Sequence, residues 1–497
     1  MLFNSIPFLI FFPIVIVIYY LLPKKAKTFW LLIASYYFYM SWNVKYVLLI
    51  LTATVVTYLC AAGIGRARQK GRDSQAKLLV AASFVVTLGI LFFFKYFDFF
   101  LGTLNRILAP LHLTALRNPF SLLLPVGISF YTFQTLSYVV DVYRGELAPE
   151  RDFFRYALYV SFFPQLVAGP IERSKNLLSQ MQELPKRRLW DYEGVVSGFS
   201  MMIWGLFLKM VVADRVSLLV DAVYGDLYAV GTVETVAAAI GFSIQIYADF
   251  AGYSIIAVGA ARMLGIRLME NFNTPYFATS IADFWARWHI SLSTWFRDYL
   301  YIPLGGNRCS KARKYFNIMV TFLVSGLWHG AAWHYVLWGG IHGIYRIAGA
   351  ITRPLRDRVN DALKVNREVF SFRFGQMLVT FVLTTFAWIF FRAEGAGQAF
   401  LFLRRMLTAW NPWALFDGRM YTYGLDRQEM GILMVALAAL LVVSLIRYCK
   451  GLDFGAFLSR QNLWFRWGVL ILLMAVILVC GEYGTDFDSQ QFLYFTF

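Results

Sequence analysis

Three of the five histidines of this chain, His329, His334 and His342, lie in one stretch without formally charged residues, YFNIMVTFLVSGLWHGAAWHYVLWGGIHGIY (315–345). Such a run is long enough to cross a bilayer. An ionisable residue at membrane depth marks a functional site. A neutral histidine can take the proton of a hydroxyl group while that oxygen attacks an activated acyl carbonyl. His329, among small neighbours in Ser-Gly-Leu-Trp-His-Gly, is the leading candidate for such a base, and a satisfied core histidine is the alternative.

The same spacing argues against a metal site. His329 and His334 are five residues apart, which places them about 140° apart on a helix. The stretch contains no Asp, Glu or Cys that could complete a set of ligands. The sequence also lacks a GxSxG elbow and a phosphate-binding glycine-rich loop. We therefore predict no metal and no covalent enzyme intermediate.

A second histidine, His289, lies in NFNTPYFATSIADFWARWHISLSTWFRDYLYIPLGGNR (271–308). The centre of this segment is predicted as a helix that begins near Ser280 or Asp283. Its helical spacing places four side chains on one face: Trp285, His289, Leu292 and Phe296. The alternative is a helix in the membrane interface whose histidine is merely hydrogen-bonded.

Two other places carry polar residues in apolar surroundings. Asp249 interrupts the run Thr235–Ala261, where it either lines a proton path or anchors helices, and the anchor is the favoured interpretation. The segment Phe162–Lys175 contains two prolines and a glycine, which predicts an element that enters the membrane and returns. Its Gln165, Glu172 and Arg173 are either lining residues or loop charges.

Composition predicts the elements that must hold these residues. The 497-residue chain is 59% hydrophobic and only 15% charged, whereas soluble domains carry about a quarter charged residues. We predict an all-α, polytopic membrane helical bundle with about 11 to 13 hydrophobic segments, some of them re-entrant, because only helices satisfy their backbone within such runs. No linker separates domains, so residues 1–497 are predicted to form a single integral-membrane domain.

The net charge of +17 is concentrated in short loops. This positive-inside pattern reflects topology, and no basic face for nucleic acid is evident. Lys24, Lys25 and Lys27 follow the first apolar segment, which predicts an outside N-terminus.

Two sequence blocks, FWARWHISLSTWFRDYLYIPLGG and SGLWHGAAWHYVLWGGIHG, resemble the membrane-bound O-acyltransferase (MBOAT) family. The resemblance is closest to the bacterial branch that acetylates alginate, and it extends to the branch that transfers D-alanine in teichoic acid synthesis. It implies a funnel and a tunnel through the bilayer, with His329 as the principal catalytic histidine and His289 as the second. His334 stands where the family pattern has a hydroxyl residue, so we assign it to packing or local tuning.

The resemblance also implies the substrates and partners. We expect acetyl-CoA as donor, no bound cofactor, and a place in the bacterial inner membrane. The expected acceptor is an exported polysaccharide, reached directly or through a periplasmic SGNH-type partner. The donor's phosphates are expected at a cytoplasmic basic loop: Arg308, Lys311, Arg313 and Lys314. The tunnel is expected to be lined by Trp285, Trp288, Ser325, Trp328, Gly330 and Asp249.

Two alternative functions remain at this level. One is transfer of D-alanine or another acyl group to teichoic acid or peptidoglycan. Another, from a different class, is a proton-coupled transporter, although we find no paired half-repeats. The aromatic terminus Phe492–Phe497 is a candidate docking segment for a partner, or it lies in the membrane interface.

Overall fold

The computed structural model describes residues 1–111, 116–120, 124–167, 169–186 and 191–483. Every regular element in these ranges is a helix, and no strand occurs among them. The all-α prediction is therefore confirmed. The terminal segment 492–497 lies outside the described residues, so its predicted role in docking has no structural counterpart here.

Within the described ranges, twenty-one α-helices are joined mostly by short turns. In chain order they are α1 (Ile6–Leu21), α2 (Lys27–Met40), α3 (Val47–Gln69), α4 (Asp73–Leu91), α5 (Phe97–Leu108), α6 (Ile128–Arg144), α7 (Phe153–Ser161), α8 (Phe163–Leu166), α9 (Ser174–Glu183), α10 (Tyr192–Phe207), α11 (Asp214–Gly225), α12 (Thr232–Met263), α13 (Ile281–Arg287), α14 (Ile290–Phe296), α15 (Lys311–His329), α16 (Trp333–Ala362), α17 (Phe370–Arg392), α18 (Ala396–Thr408), α19 (Arg427–Lys450), α20 (Phe454–Ser459) and α21 (Leu463–Cys480). Three π-helical segments lie between or beside them: Phe92–Tyr96, Leu208–Ala213 and Arg297–Tyr301.

Within the described ranges, seven helical stretches are long and apolar enough to cross a membrane. They are Val44–Gln69, Asp73–Leu111, Tyr192–Gly225, Thr232–Met263, Phe370–Arg392, Arg427–Lys450 and Leu463–Cys480. The shorter apolar helix α1 adds a further hydrophobic segment. The chain is thus a multi-pass membrane protein. Fewer helices meet the length and composition of a span than the 11 to 13 hydrophobic segments of the sequence, because several apolar runs fold as shorter, broken helices.

Contacts divide the chain into two compact units: the described residues of 1–199 with 257–269, and the described residues of 200–256 with those after 269. The predicted single domain stays a prediction. In the first unit α3 packs on α4 and α6, and α2 packs on α7. The nine-residue helix α7 is too short to cross a bilayer. The re-entrant element that the sequence indicates at 162–175 stays a prediction.

Polar residues of the segment 162–175 fasten the backbone of the first unit. Gln165 donates to the carbonyl of Tyr159 at 2.8 Å. Glu172, fully buried, accepts from the backbone N–H of Met269 and from Asn176. These contacts favour a structural role for Gln165 and Glu172.

The second unit contains the predicted site. Its central feature is an antiparallel hairpin of α15 and α16, in which Gly326 faces the backbone of Tyr335, and Gly339 faces that of Phe322. A Cβ atom at either glycine would lie 2.2 Å from the facing carbonyl oxygen. Only glycine permits this approach of the two helices, which fixes their register.

Candidate active site

His329 is the last residue of α15, at the tip of the hairpin. The chain leaves the helix at Gly330, whose backbone is extended, and α16 begins at Trp333. The uncharged run 315–345 is therefore divided between two helices that form a hairpin. A continuous crossing would place the basic ends of α15 and α16 on opposite sides, whereas a hairpin returns both to the same side, as the positive-inside pattern demands.

The glycines near His329 serve close packing. A Cβ at Gly330 would lie 2.1 Å from the ring of Tyr335. Together with Gly326 and Gly339, this position brings α15 against α16. At these three positions, side chains or backbone of the facing helix fill the space beside the glycine. The place of Gly330 in a tunnel lining stays a prediction.

His289 lies at a break between two short helices. Ser280 caps α13 by accepting from the N–H of Asp283 at 3.1 Å, as the sequence suggested. The helix ends at Arg287, and His289 has left-handed backbone angles (φ 45°, ψ 53°) before α14 begins. The single helix expected through this segment is therefore wrong.

Asn271 supplies the hydrogen bonds that replace the helical ones at this break. Its carbonyl accepts from the N–H of Ile290 at 2.9 Å. Its side chain accepts from Ser291 Oγ at 2.6 Å and donates to Ser254 Oγ at 3.1 Å. Asn271, Ser254 and Ser291 are all buried. Spacing along the chain could not show this, because the partners come from α12 and from the segment before α13.

The two motif histidines come together although forty residues separate them. The ring centres of His289 and His329 are 6.3 Å apart. Phe250 of α12 packs edge-on against His289, with ring centres 4.7 Å apart, and Trp328 contacts both imidazoles. His289 is fully buried and His329 is 5% exposed. Both imidazoles are therefore shielded from bulk water.

His342 joins this cluster, which the sequence did not indicate. It is fully buried on α16 and accepts a hydrogen bond from Trp285 Nε1 at its Nδ1, 3.2 Å away. The ring of Trp338 lies 5.1 Å from that of His342 and 5.1 Å from that of His329. The only sequence signal was that His342 shares an uncharged stretch with His329 and His334. His334, by contrast, packs on its neighbour Tyr335, with ring centres 4.1 Å apart.

Other predicted tunnel residues lie in packed surroundings. Trp288 is 2% exposed and stacks on Phe284. Asp249 is buried and pairs with Lys209 at 2.7 Å, and Lys209 also pairs with Asp214 at 2.7 Å. This arrangement supports the anchor interpretation of Asp249. Their roles as tunnel residues stay predictions.

A cavity of about 1830 Å³ lies between α13, α14, α15, α16 and α17. Trp285 and Ser325 line it, and Ser325 is one helical turn before His329. The cavity stops short of the imidazole of His329, which is absent from its described lining. The indole of Trp285 therefore stands at the end of the cavity that is nearest the histidine cluster.

The cavity is strongly basic. Six cationic side chains line it, against one carboxylate, Asp357: Arg297, Lys314, Arg346, Arg353, Arg356 and Arg367. Of the four cations predicted to meet the donor, Lys314 is in this lining, whereas Arg308, Lys311 and Arg313 are exposed residues outside it. The three arginines of α16 that line the cavity recur at intervals of seven and three residues. That helical spacing is the signal that could have identified them.

Within the described residues, no group of three or more His, Cys, Asp and Glu side chains could hold a metal ion. The site consists of imidazoles, indoles and a basic cavity. Chemically, this arrangement offers proton transfer beside a hydrophobic wall and electrostatic attraction for an anion.

Comparison with known proteins agrees with this geometry. Residues 37–391 match the model of MBOAT, the membrane-bound O-acyltransferase family. The chain is 38% identical over 444 residues to the probable alginate O-acetylase AlgI of Pseudomonas aeruginosa, covering 88% of this chain and 81% of the relative. It is 34% identical over 441 residues to the peptidoglycan O-acetyltransferase of Helicobacter pylori, covering 82% and 80%.

A more distant likeness extends to the teichoic acid D-alanyltransferase of Bacillus subtilis, at 28% identity over 243 residues, covering 46% of this chain and 59% of the relative. All these relatives are named for acyl transfer, and the family match covers both motif histidines. The choice between an enzyme and a transporter is thereby made. This chain belongs to the membrane-bound O-acyltransferase family and is an acyltransferase.

Proposed function

We propose that this protein is an O-acetyltransferase that moves an acetyl group from cytoplasmic acetyl-CoA to an exported polysaccharide of the alginate type. The observation that carries this proposal is the meeting of His289 and His329, 6.3 Å apart, beside a basic cavity. The similarity to alginate O-acetylases over most of the chain supports the acetyl group and the kind of acceptor.

His329 acts as the general base. Its imidazole takes the proton from a hydroxyl group of the acceptor while that oxygen attacks the thioester carbonyl of acetyl-CoA. The carbon–sulfur bond breaks, an ester forms, and the proton passes from the imidazole to the departing thiolate. His289 orients the reacting groups from the other side of the cluster. Neither step requires a covalent enzyme intermediate or a metal.

The basic cavity binds the donor. Coenzyme A carries several phosphate charges, and a cleft lined by one sign of charge concentrates ligands of the opposite sign. Lys314 on α15 and the arginines Arg353 and Arg356 on α16 are placed to meet those phosphates. The thioester then points along α15 toward Ser325 and His329.

The length of the hairpin fits transfer across a membrane. The 19 residues of α15 span about 28 Å, close to the thickness of the hydrocarbon core. If the basic ends lie in the cytoplasm, His329 lies near the outer face. A charged coenzyme cannot enter lipid without great cost. We infer a place in the bacterial inner membrane, where a periplasmic SGNH-type partner receives the acetyl group or guides the polysaccharide.

A second acceptor is supported by one comparison. The peptidoglycan O-acetyltransferase relative covers nearly the same share of the chain as the alginate relatives. Acetyl transfer to peptidoglycan is therefore the alternative acceptor, and D-alanyl transfer is less supported because that similarity covers about half of the chain. Analysis of ester-linked acetate on each envelope polymer, in a strain that lacks this protein, distinguishes the acceptors.

The chemistry itself is tested with purified protein in lipid nanodiscs and radiolabelled acetyl-CoA. We expect His329→Ala to lower acetyl transfer roughly 100-fold or more, as is common when a general base is lost. His334→Ala is the matched control, since it removes a histidine of the same segment that packs on Tyr335. Normal transfer by a well-folded His329→Ala protein would refute the assignment.

A further inference from the structure

His342, the third histidine of the cluster, has a defined tautomer. Trp285 Nε1 can only donate a hydrogen bond, and it points at His342 Nδ1 from 3.2 Å. That nitrogen must therefore be unprotonated, so the proton of the neutral ring lies on Nε2. Among the described residues, His342 Nε2 is buried and has no hydrogen-bond partner.

This arrangement does not favour stability. A buried donor without a partner costs about 1–3 kcal/mol, so an apolar ring in place of His342 would pack there at least as well. The nitrogen that does have a partner is the one that faces Trp285. What distinguishes histidine from phenylalanine at this position is thus its ability to hold the Trp285 indole.

Trp285 lies between the basic cavity and the histidine cluster. It lines the basic cavity on one side. On the other side its ring centre lies 5.7 Å from that of Trp338, a fully buried indole that packs edge-on against His329. His342 contacts both indoles, with ring centres 5.0 Å from Trp285 and 5.1 Å from Trp338.

We propose that His342 is a positioning residue that holds Trp285 as a gate between the basic cavity and His329. With the Trp285–His342 hydrogen bond formed, the indoles separate the cavity water from the catalytic imidazole. Movement of Trp285 opens a path from Ser325 to His329 for the acyl group. The purpose of the gate, passage of an acyl group, rests on the proposed function. The barrier between the cavity and His329 does not, because it exists in the protein without bound substrate.

The gate can be tested without turnover. Diethyl pyrocarbonate acylates accessible neutral imidazoles, and tandem mass spectrometry measures its rate of reaction at each histidine. In the full-length protein in nanodiscs, we expect His342→Phe to raise the rate at His329 about three- to tenfold, the factor that a neutral hydrogen bond contributes. The rate at His334 should not change, because His334 packs on Tyr335 outside the cluster.

Two further variants separate a gate from general loosening. Trp285→Phe removes the donor from the cavity side, so it should reproduce the effect, and the double variant should add nothing beyond either single change. His342→Asn retains an acceptor at the position of Nδ1 and should stay close to the wild-type rate. An unchanged rate at His329 in both His342→Phe and Trp285→Phe, or equal increases at His329 and His334, would overturn the gate.

A second measurement addresses its purpose. Without the Trp285–His342 hydrogen bond the gate admits water, so the ratio of acetyl-CoA hydrolysis to acetyl transfer should rise severalfold in His342→Phe. An enzyme that is only less stable would lose hydrolysis and transfer in the same proportion. An unchanged ratio would show that the gate does not exclude water. Normal transfer by His329→Ala would instead refute the proposed function. The labelling rates at His329 would still test the gate, because they do not depend on turnover.

Discussion

At the scale of single residues, the site depends on a backbone conformation that most side chains avoid. His289 has φ 45°, in the left-handed region that costs a non-glycine residue roughly 1–2 kcal/mol. Histidine, asparagine and aspartate are enriched in that region. The strain is maintained by the surrounding hydrogen bonds, and it directs the imidazole toward His329 instead of continuing the helix.

This conformation decides which substitution tests His289. Asparagine tolerates the left-handed region, so His289→Asn should fold normally while the imidazole is lost. We expect acetyl transfer to fall, though less than in His329→Ala. The measurement is transfer per milligram of monodisperse protein. Transfer that falls only in proportion to the yield of folded protein would make His289 a structural residue.

At the scale of elements, Asn271 connects the segment before α13 with α12 and α14. One side chain joins Ser254 and Ser291, and its carbonyl fixes the first residue of α14. The break at His289 is therefore set by a contact between elements. No property of the segment 281–296 alone would end the helix there.

Replacing Asn271 by Ala should destabilise the protein by about 1–3 kcal/mol, because it leaves buried hydroxyl groups without their partner. Transfer should fall as well, because His289 loses its support. Asn273→Ala is the control from the same segment, since the Asn273 side chain makes a long contact of 3.4 Å with Arg447 at the surface. Thermal unfolding and transfer are measured for both. Equal behaviour of the two variants would contradict a special role for Asn271.

A buried charge cluster ties α12 to the π-helical segment before α11. Lys209 lies between Asp214 and Asp249, 2.7 Å from each carboxylate, and all three are nearly inaccessible. Removing the shared cation leaves two carboxylates in a low-dielectric interior. Removing one carboxylate leaves a neutral pair.

Removing Lys209 should therefore destabilise the protein more than removing the carboxylate of Asp249. Lys209→Met is expected to destabilise by roughly 3–5 kcal/mol, the usual cost of an uncompensated buried charge. Asp249→Asn should cost distinctly less, since Lys209 keeps Asp214. Unfolding midpoints in detergent measure the difference. A larger loss in Asp249→Asn than in Lys209→Met would show that Asp249 does more than anchor the helix.

At the scale of the whole molecule, the sequence concentrates positive charge where the hairpin begins and ends. The structure brings cations from both ends, Lys314 and Arg353 among them, to one cavity. Charges that the positive-inside pattern assigns to topology thus also line the cavity in which we propose that the anionic donor binds.

Neutralising two of these cations should weaken donor binding. In Arg353→Gln/Arg356→Gln, we expect the KM for acetyl-CoA to rise severalfold and its dependence on salt to decrease, with little change in kcat. The matched control is Arg308→Gln/Lys311→Gln, which removes two exposed cations outside the cavity lining. Orientation in the membrane is verified first by protease accessibility. A higher KM in the control than in the test variant would indicate that the donor binds at the basic loop that contains Arg308 and Lys311, as the sequence suggested.

The sequence by itself determined the class of the protein and identified its candidate catalytic residues. Low charge and long apolar runs admit only membrane helices, and the uncharged surroundings of His329 already marked it as a candidate base. The motif around His289 indicated the same family that the comparisons show. These properties are local, since they depend on composition and on neighbours along the chain.

Only the tertiary structure decided how those residues meet. The hydropathy of residues 315–345 is the same for one crossing and for a hairpin, so the turn after His329 could not be read from it. The break at His289 depends on Asn271, and the place of His342 depends on Trp285 from another helix. The contacts that Gly326 and Gly339 permit between α15 and α16 likewise depend on the facing backbone. Contacts between elements distant in sequence leave no periodic signal, and for that reason the geometry of the site had to come from the fold.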